Sequence, residues 1–163
     1  MPLHDDRKLF EFLVLDAFQA GLSWSIILKK RENLREAFSG FDPQKISRYN
    51  NSNIEKLLQD SRIIRHRLKI ESTISNARSL LSVQSELGSF DKYLWQFVNF
   101  KTIRNNWKTI QDIPAKSKES DEMSKDLRKR GFKFVGSTIC YAFMQAAGMV
   151  NDHILRCYRY NEL

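Results

Sequence analysis

Asp16 stands out among the residues able to do chemistry. It lies seven residues after Leu9, four after Phe12 and three after Leu13, so a helix that buries those side chains carries its carboxylate to the same inward face. Trp24 follows beyond the break Gly21-Leu22-Ser23. An aromatic face can stack a flat base while a carboxylate accepts hydrogen bonds or balances positive charge. A turn between the two helices would bring both to one cavity, with Gln19, Gly21 and Leu22 at its mouth. A hydrogen-bonded buried aspartate beside a core tryptophan is the plainer account of the same residues.

A second candidate is the run Gly131-Phe132-Lys133-Phe134-Val135-Gly136, which leads into Ser137-Thr138. The glycines permit a tight backbone, and amides at the start of the following helix can face a phosphate, with Arg130 and Lys133 adding positive charge. Such a grip positions a nucleic-acid backbone without reading bases. An ordinary turn between helices uses the same residues. Two basic clusters, Lys29-Lys30-Arg31 and Arg62, Arg65, Arg67 and Lys69 around His66, read as phosphate contacts or as solvated helix faces. His66 has no companion ligand nearby and is given no catalytic role. His153 and Cys157, four residues apart, put two zinc-capable side chains on one helical face, yet a tetrahedral site needs about four ligands. A buried cysteine beside a hydrogen-bonded histidine accounts for them equally. No nucleophile elbow, phosphate-binding loop or dinucleotide fingerprint is present.

The elements that must position these groups are helical. A chain of 163 residues fits one domain. With six glycines, three prolines and 28% charged residues, it reads as an all-α chain, a single compact helical domain over residues 1–163. Apolar periodicity predicts a central buried helix from Arg7 to Ala20, a second from Ser23 with Trp24, Ile27, Leu28 and Leu34 inward, and short helices after Asp42-Pro43 and Ser52. Longer helices carry Ile70, Ile74, Ala77 and Leu81, then Phe90, Leu94, Phe97 and Val98 after Gly88-Ser89. Lys101 to Lys118 reads as an irregular connector. A helix capped near Ser120 and ended by Gly131, the glycine-bounded hairpin, and a helix from Ser137 to Gly148 form a helix-hairpin-helix element over about 120–148. A last helix capped by Asn151 or Asp152 is expected to carry His153 and Cys157.

The balance of 27 Lys+Arg against 19 Asp+Glu gives +8, which favours a polyanion partner, nucleic acid first. The only cysteines, Cys140 and Cys157, are too few for a disulfide scaffold and are expected to be reduced. The absence of a long apolar run or a leader predicts a soluble, cytoplasmic protein with no membrane partner.

The segments LFEFLVLDAFQAGLSW (9–24), ILKKRENLREAF (27–38), FDPQKI (41–46), IIRHRLKI (63–70), LWQFVNF (94–100) and KRGFKFVGSTICYAFMQAAGMVNDH (129–153), with Cys157 beyond, closely resemble the DNA-3-methyladenine glycosylase I family, a branch of the helix-hairpin-helix repair glycosylases. The resemblance covers almost the whole chain. It implies a monofunctional base excision repair enzyme, a monomer that flips a damaged adenine from double-stranded alkylated DNA, hydrolyses its N-glycosidic bond, and releases free 3-methyladenine. By this resemblance Asp16 stands where the family usually has a glutamate that reads the methylated base, and Trp24 is a base-binding aromatic; Asp16 is also the catalytic candidate, accepting a hydrogen bond from the base and stabilising positive charge in the transition state. Gln19, Gly21 and Leu22 match a duplex-probing turn, and Arg130, Gly131, Lys133, Gly136, Ser137 and Thr138 match the DNA anchor. Asn151 falls where other branches carry a catalytic aspartate, with Asp152 beside it. His153 and Cys157 match half of the family's zinc set. With the upstream segment that supplies the other half and further pocket aromatics not seen before Met1-Pro2, zinc is expected to be absent or incomplete, and no cofactor is required. A noncatalytic binder of alkylation damage and a structural DNA-binding domain remain the competing readings.

Overall fold

The computed structural model describes residues 1–162. Helix α1 (Asp6–Gln19) begins at Asp5, whose side chain accepts from the Lys8 amide, the capping role expected of an aspartate at that position. Its core-facing residues Leu9, Phe10, Leu13, Val14 and Phe18 are buried, and it packs against α8 (Ser137–Ala146), α2 (Trp24–Ala37), α5 (Arg67–Leu87) and α6 (Phe90–Trp95). The central position predicted for this apolar stretch is therefore observed. Helix α3 (Pro43–Ile46) opens with Asp42 as cap and proline at its first position, as Asp-Pro predicts.

Two helices start earlier than expected. Helix α4 (Asn51–Gln59) is capped by Asn50 rather than Ser52, because Asn50 and Asn53 exchange side chain-to-backbone hydrogen bonds in a capping box. That satisfies two backbone amides where a lone serine would satisfy one. Helix α7 (Lys118–Lys129) is likewise capped by Ser117, with Ser120 as the reciprocal partner inside the first turn.

The connector contains strand β1 (Ile103–Arg104), which pairs in parallel with β2 (Val150–Asn151) in the register Ile103 with Val150 and Arg104 with Asn151. This pairing corrects the expectation of a last helix after Gly148. The backbone at Val150 and Asn151 is engaged in a ladder, and the Asn151 side chain accepts from the His153 amide, so the chain continues irregularly to a short 3-10 turn at Tyr158–Glu162.

Buried aromatic residues join the elements into one cluster: Phe18 meets Phe38 at 5.9 Å between ring centroids, and Phe90 stacks on Phe132 at 5.8 Å. The second contact ties the hairpin to α6. Among the described residues no helix is long and apolar enough to cross a membrane.

Asp6 links the start of α1 to the start of α6. Its carboxylate accepts from the amides of Phe90 (2.9 Å) and Asp91 (2.8 Å) and from the Gln84 side chain (2.7 Å), so one anion satisfies two amides at a helix N-terminus. Asp6→Ala is expected to cost about 1–3 kcal/mol. Urea unfolding should show a lower midpoint with an unchanged slope.

Candidate functional site

Asp16 is 1% exposed, on the inward face predicted for it. Among the described residues neither carboxyl oxygen has a hydrogen-bond partner. Burial without compensation disfavours the charged form, and it pushes the carboxyl up to about 8. The side chain lines a cavity of about 150 Å³ with Phe12, Leu15, Trp24, Leu28, Arg31 and Ala146. This volume lies below the roughly 300–1,000 Å³ of drug-sized pockets, and it suits one flat heterocycle.

The sequence pattern places Trp24 and Leu28 inward with Ile27 and Leu34. The structure corrects this: Ile27 and Leu34 are buried, whereas Trp24 is 41% and Leu28 60% exposed. They form the rim of the cavity, where an aromatic face is open to a ligand. Arg31 forms a further part of the wall. Its Nε donates to Glu11 at 2.8 Å and its guanidinium lies 5.7 Å from the Phe12 ring centroid. Glu11, itself buried, also accepts from Arg35 at 2.8 Å. The cation nearest the cavity is therefore partnered by Glu11, and the unpaired polar atoms of the lining are those of Asp16.

The turn between α1 and α2 is held from both sides. Gln19 donates to the Leu22 carbonyl at 2.7 Å, and Gly21 adopts φ +80°, a left-handed conformation that favours glycine. From below, Lys69 Nζ donates to the carbonyls of Phe18 and Ala20, each at 2.7 Å. Its sequence neighbours Arg62, Arg65 and Arg67 suggest a solvent- or phosphate-facing cation; instead Lys69 is buried. The available signal was its helical register with Thr73 and Asn76, which are also buried.

At the hairpin, Gly131 closes α7 with φ +91°. Phe132 and Val135 are buried and Lys133 is exposed, so the loop is pegged to the core at two points and presents a cation between them. The peptide of Lys133 is gripped by Asn76, whose amide nitrogen donates to the carbonyl at 3.0 Å while its oxygen accepts from the N–H at 2.8 Å. Ser124 donates to the Val135 carbonyl at 2.6 Å. Gly136 is the N-cap of α8, so the amides of Ser137 and Thr138 belong to a first turn with no intrahelical acceptor. The Ser137 hydroxyl is directed back to α7, donating to Asp121 at 2.5 Å.

Arg130 differs from its sequence reading as a phosphate contact. It donates to Glu86 at 2.9 Å and to Asp126 at 3.0 Å, and lies 5.0 Å from the Tyr93 ring centroid. Its guanidinium braces α7 against α5 and α6.

The structure separates Asp152 and its neighbours from the cavity lining. Asp152 accepts from Asn105 (2.7 Å), Trp107 (2.7 Å), Gln145 (2.8 Å) and the Tyr141 hydroxyl. Burial alone would raise this carboxyl, but the hydrogen bonds from Tyr141, Asn105, Trp107 and Gln145 outweigh it and hold the group below its ordinary value. It fastens the connector to α8, a role invisible in the sequence because two of its donors, Asn105 and Trp107, lie more than forty residues upstream in irregular chain. Asn151 is buried and donates to the Tyr160 carbonyl at 2.8 Å. His153 and Cys157 do not share a helical face, yet Cys157 Sγ lies 3.7 Å from His153 Nδ1. Among the described residues no group of three or more His, Cys, Asp or Glu side chains could hold a metal ion. The two residues alone do not fit a closed tetrahedral zinc site.

The raised Asp16 carboxyl has a direct consequence for stability. The folded state retains a proton that the unfolded chain loses above about pH 4, so the stabilisation this one group contributes is fully present below that pH and is lost as pH rises towards about 8, then levels. Asp16→Asn removes this linkage. Urea midpoints of the two proteins should diverge between about pH 4 and 8, the variant gaining relative to the parent, and run parallel above.

Comparison with known proteins places this geometry in a family. Residues 1–160 match the family described as Methyladenine glycosylase. The chain is 48% identical over 157 residues to DNA-3-methyladenine glycosylase 1 of Escherichia coli (strain K12), covering 96% of this chain and 84% of that protein. It is 46% identical over 156 residues to the DNA-3-methyladenine glycosylase of Haemophilus influenzae, with the same coverage of each. A crystal structure of 3-methyladenine DNA glycosylase I superposes with a TM-score of 0.94 at 49% identity, over 97% of this chain and 87% of that one. The Staphylococcus aureus enzyme, solved to explain 3-methyladenine recognition, gives a TM-score of 0.94 at 36% identity, over 97% and 84%. A helical fold shared at this level, and sequence identity along nearly the full length, mean that the chain belongs to the methyladenine glycosylase family.

Proposed function

We propose that this chain is a monofunctional DNA glycosylase that removes 3-methyladenine from alkylated double-stranded DNA and leaves an abasic site. It works as a monomer in the cytoplasm, needs no metal or other cofactor, and uses residues 1–163 as one domain. The observation that carries this reading is the Asp16 carboxyl, buried without a hydrogen-bond partner against the same 150 Å³ cavity as Trp24. A buried polar group left unpaired is destabilising, and a flipped cationic base supplies what it lacks.

Methylation at N3 gives the adenine a positive charge before any enzyme acts. When the bond between N9 and the sugar C1′ breaks, the electron pair moves onto the base, which leaves as neutral 3-methyladenine. The sugar becomes an oxocarbenium ion, water adds at C1′, and the proton of that water passes to solvent. The leaving group needs no protonation, which fits a cavity without a second acid. The task left to the protein is to take the nucleotide out of the stack and hold it. Trp24 stacks on the ring. Asp16 releases its proton to solvent as the cationic base enters, and the resulting carboxylate accepts from the exocyclic amino group and stabilises the positive charge of the transition state.

Affinity for the duplex comes from elsewhere. The first-turn amides of Ser137 and Thr138, the exposed Lys133 and the net charge of +8 suit a phosphate backbone, held without base reading. The turn at Gln19, Gly21 and Leu22 leads into Trp24 at the cavity rim, and its proposed role is to probe the duplex as the base leaves it. Arg130 is not assigned to DNA, since its guanidinium is already paired within the scaffold.

Release of free base from alkylated duplex DNA tests the reading. Asp16→Asn is expected to lower excision about 10²–10³-fold while binding of undamaged duplex persists. Because kcat/KM reports the free enzyme, it should rise about tenfold per pH unit up to about pH 8 and level above, in line with the raised Asp16 carboxyl, and the variant should lose that slope. Tight binding of alkylated duplex by folded protein with no base released would instead establish a damage binder.

A further inference from the structure

Helix α5 touches both loops that the proposed reaction uses, through two buried polar side chains that do not line the cavity and that bind loop backbone. Lys69, 6% exposed, reaches the C-terminal end of α1 and donates to the carbonyls of Phe18 and Ala20. Helix α1 has no basic residue in its own last turn, so the cation that its exposed carbonyls favour comes from α5. Those two carbonyls follow Asp16 by two and four residues and flank Gln19. Lys69 thus grips the helical turn that presents the acid and opens the probing loop.

Seven residues further along α5, Asn76 is 2% exposed and grips the Lys133 peptide through both its donor and its acceptor. Seven residues are about two helical turns, roughly 10.5 Å of rise, so the two side chains project from nearly the same face. One turn beyond, Ser79 Oγ lies 3.2 Å from the place a Cβ on Gly131 would occupy, which seats the hairpin directly on this helix. Hydrogen bonds across a helix of 21 residues leave little freedom for the two loops to move apart.

We infer that Lys69 and Asn76 are positioning residues that use α5 as a rigid spacer, setting the distance between the lesion cavity and the duplex anchor. The inference rests on the proposed glycosylase reading. The two ends serve different steps. Lys69 holds the geometry needed once a base is flipped, whereas Asn76 holds the geometry needed to grip the duplex.

The test compares Lys69→Met, which keeps the aliphatic stem, with Asn76→Ala, both assayed well below their unfolding midpoints. Lys69→Met is expected to lower the single-turnover excision rate about tenfold or more, with affinity for undamaged duplex held within about twofold. Asn76→Ala is expected to do the reverse, raising the dissociation constant for undamaged duplex about tenfold while the saturating single-turnover rate stays within about threefold. Amide hydrogen exchange gives a readout that needs no activity: protection should fall over residues 18–24 in Lys69→Met and over 132–136 in Asn76→Ala. Absence of excision by the parent protein would overturn the glycosylase reading and leave the exchange pattern to judge the spacer. Rate and affinity falling together in both variants, or exchange rising equally over both loops in either one, would overturn the inference.

Discussion

A carboxyl group buried with nothing to bind is the constraint on which the rest of this structure depends. The chain buries two aspartates and treats them oppositely. Asp152 is surrounded by donors from Asn105, Trp107, Tyr141 and Gln145, which hold it charged. Asp16 is given none, and burial drives it towards the neutral form. A network that is satisfied fastens the fold, while an unsatisfied group is a standing cost that only a ligand can remove. The first aspartate is scaffold and the second is site.

That cost is tolerable because the surroundings of Asp16 are over-determined. Helix α1 is fixed at its start by Asp5 and Asp6 and at its end by Lys69. It lies against α8, the second helix of the hairpin element, so cavity and anchor share a packed helix pair. Glu11 draws Arg31 and Arg35 of α2 together, which keeps the nearest guanidinium from neutralising Asp16. Were Arg31 to pair with Asp16 instead, the carboxylate would be charged and satisfied in the empty protein, and it would have little left to gain from a cationic base.

The legible parts of this molecule were those governed by local chemistry. Helical spacing put Asp16 on the buried face of α1, Asp-Pro marked the start of α3, and Gly131 and Gly136 bounded the hairpin, because each depends on a few consecutive residues. Where two local solutions competed, the reciprocal one won, so Asn50 and Ser117 displaced Ser52 and Ser120 as caps. Partners distant in the chain were illegible. Lys69 and Arg130 have the same composition signature as surface cations, and only tertiary contact shows one bound to carbonyls and the other reaching Glu86 beyond its helical neighbour Asp126. The expected final helix failed for the same reason, since its backbone is recruited by β1 from more than forty residues upstream. Trp24 and Leu28 differ in the other direction: their apolar side chains and spacing suggest core, and the structure leaves them at a cavity rim, as a binding surface requires.

The Asp16 carboxyl is neutral and unpaired until a cation reaches it. Carbon-13 NMR of the aspartate side-chain carboxyls across pH reads this directly, with Asp16→Asn identifying the resonance. One aspartate should titrate near 8 in the free protein, distinct from the rest and missing from the variant. An Asp16 carboxyl that titrates in the ordinary range near 4 would contradict it, since the group would then already be charged and satisfied with the cavity empty.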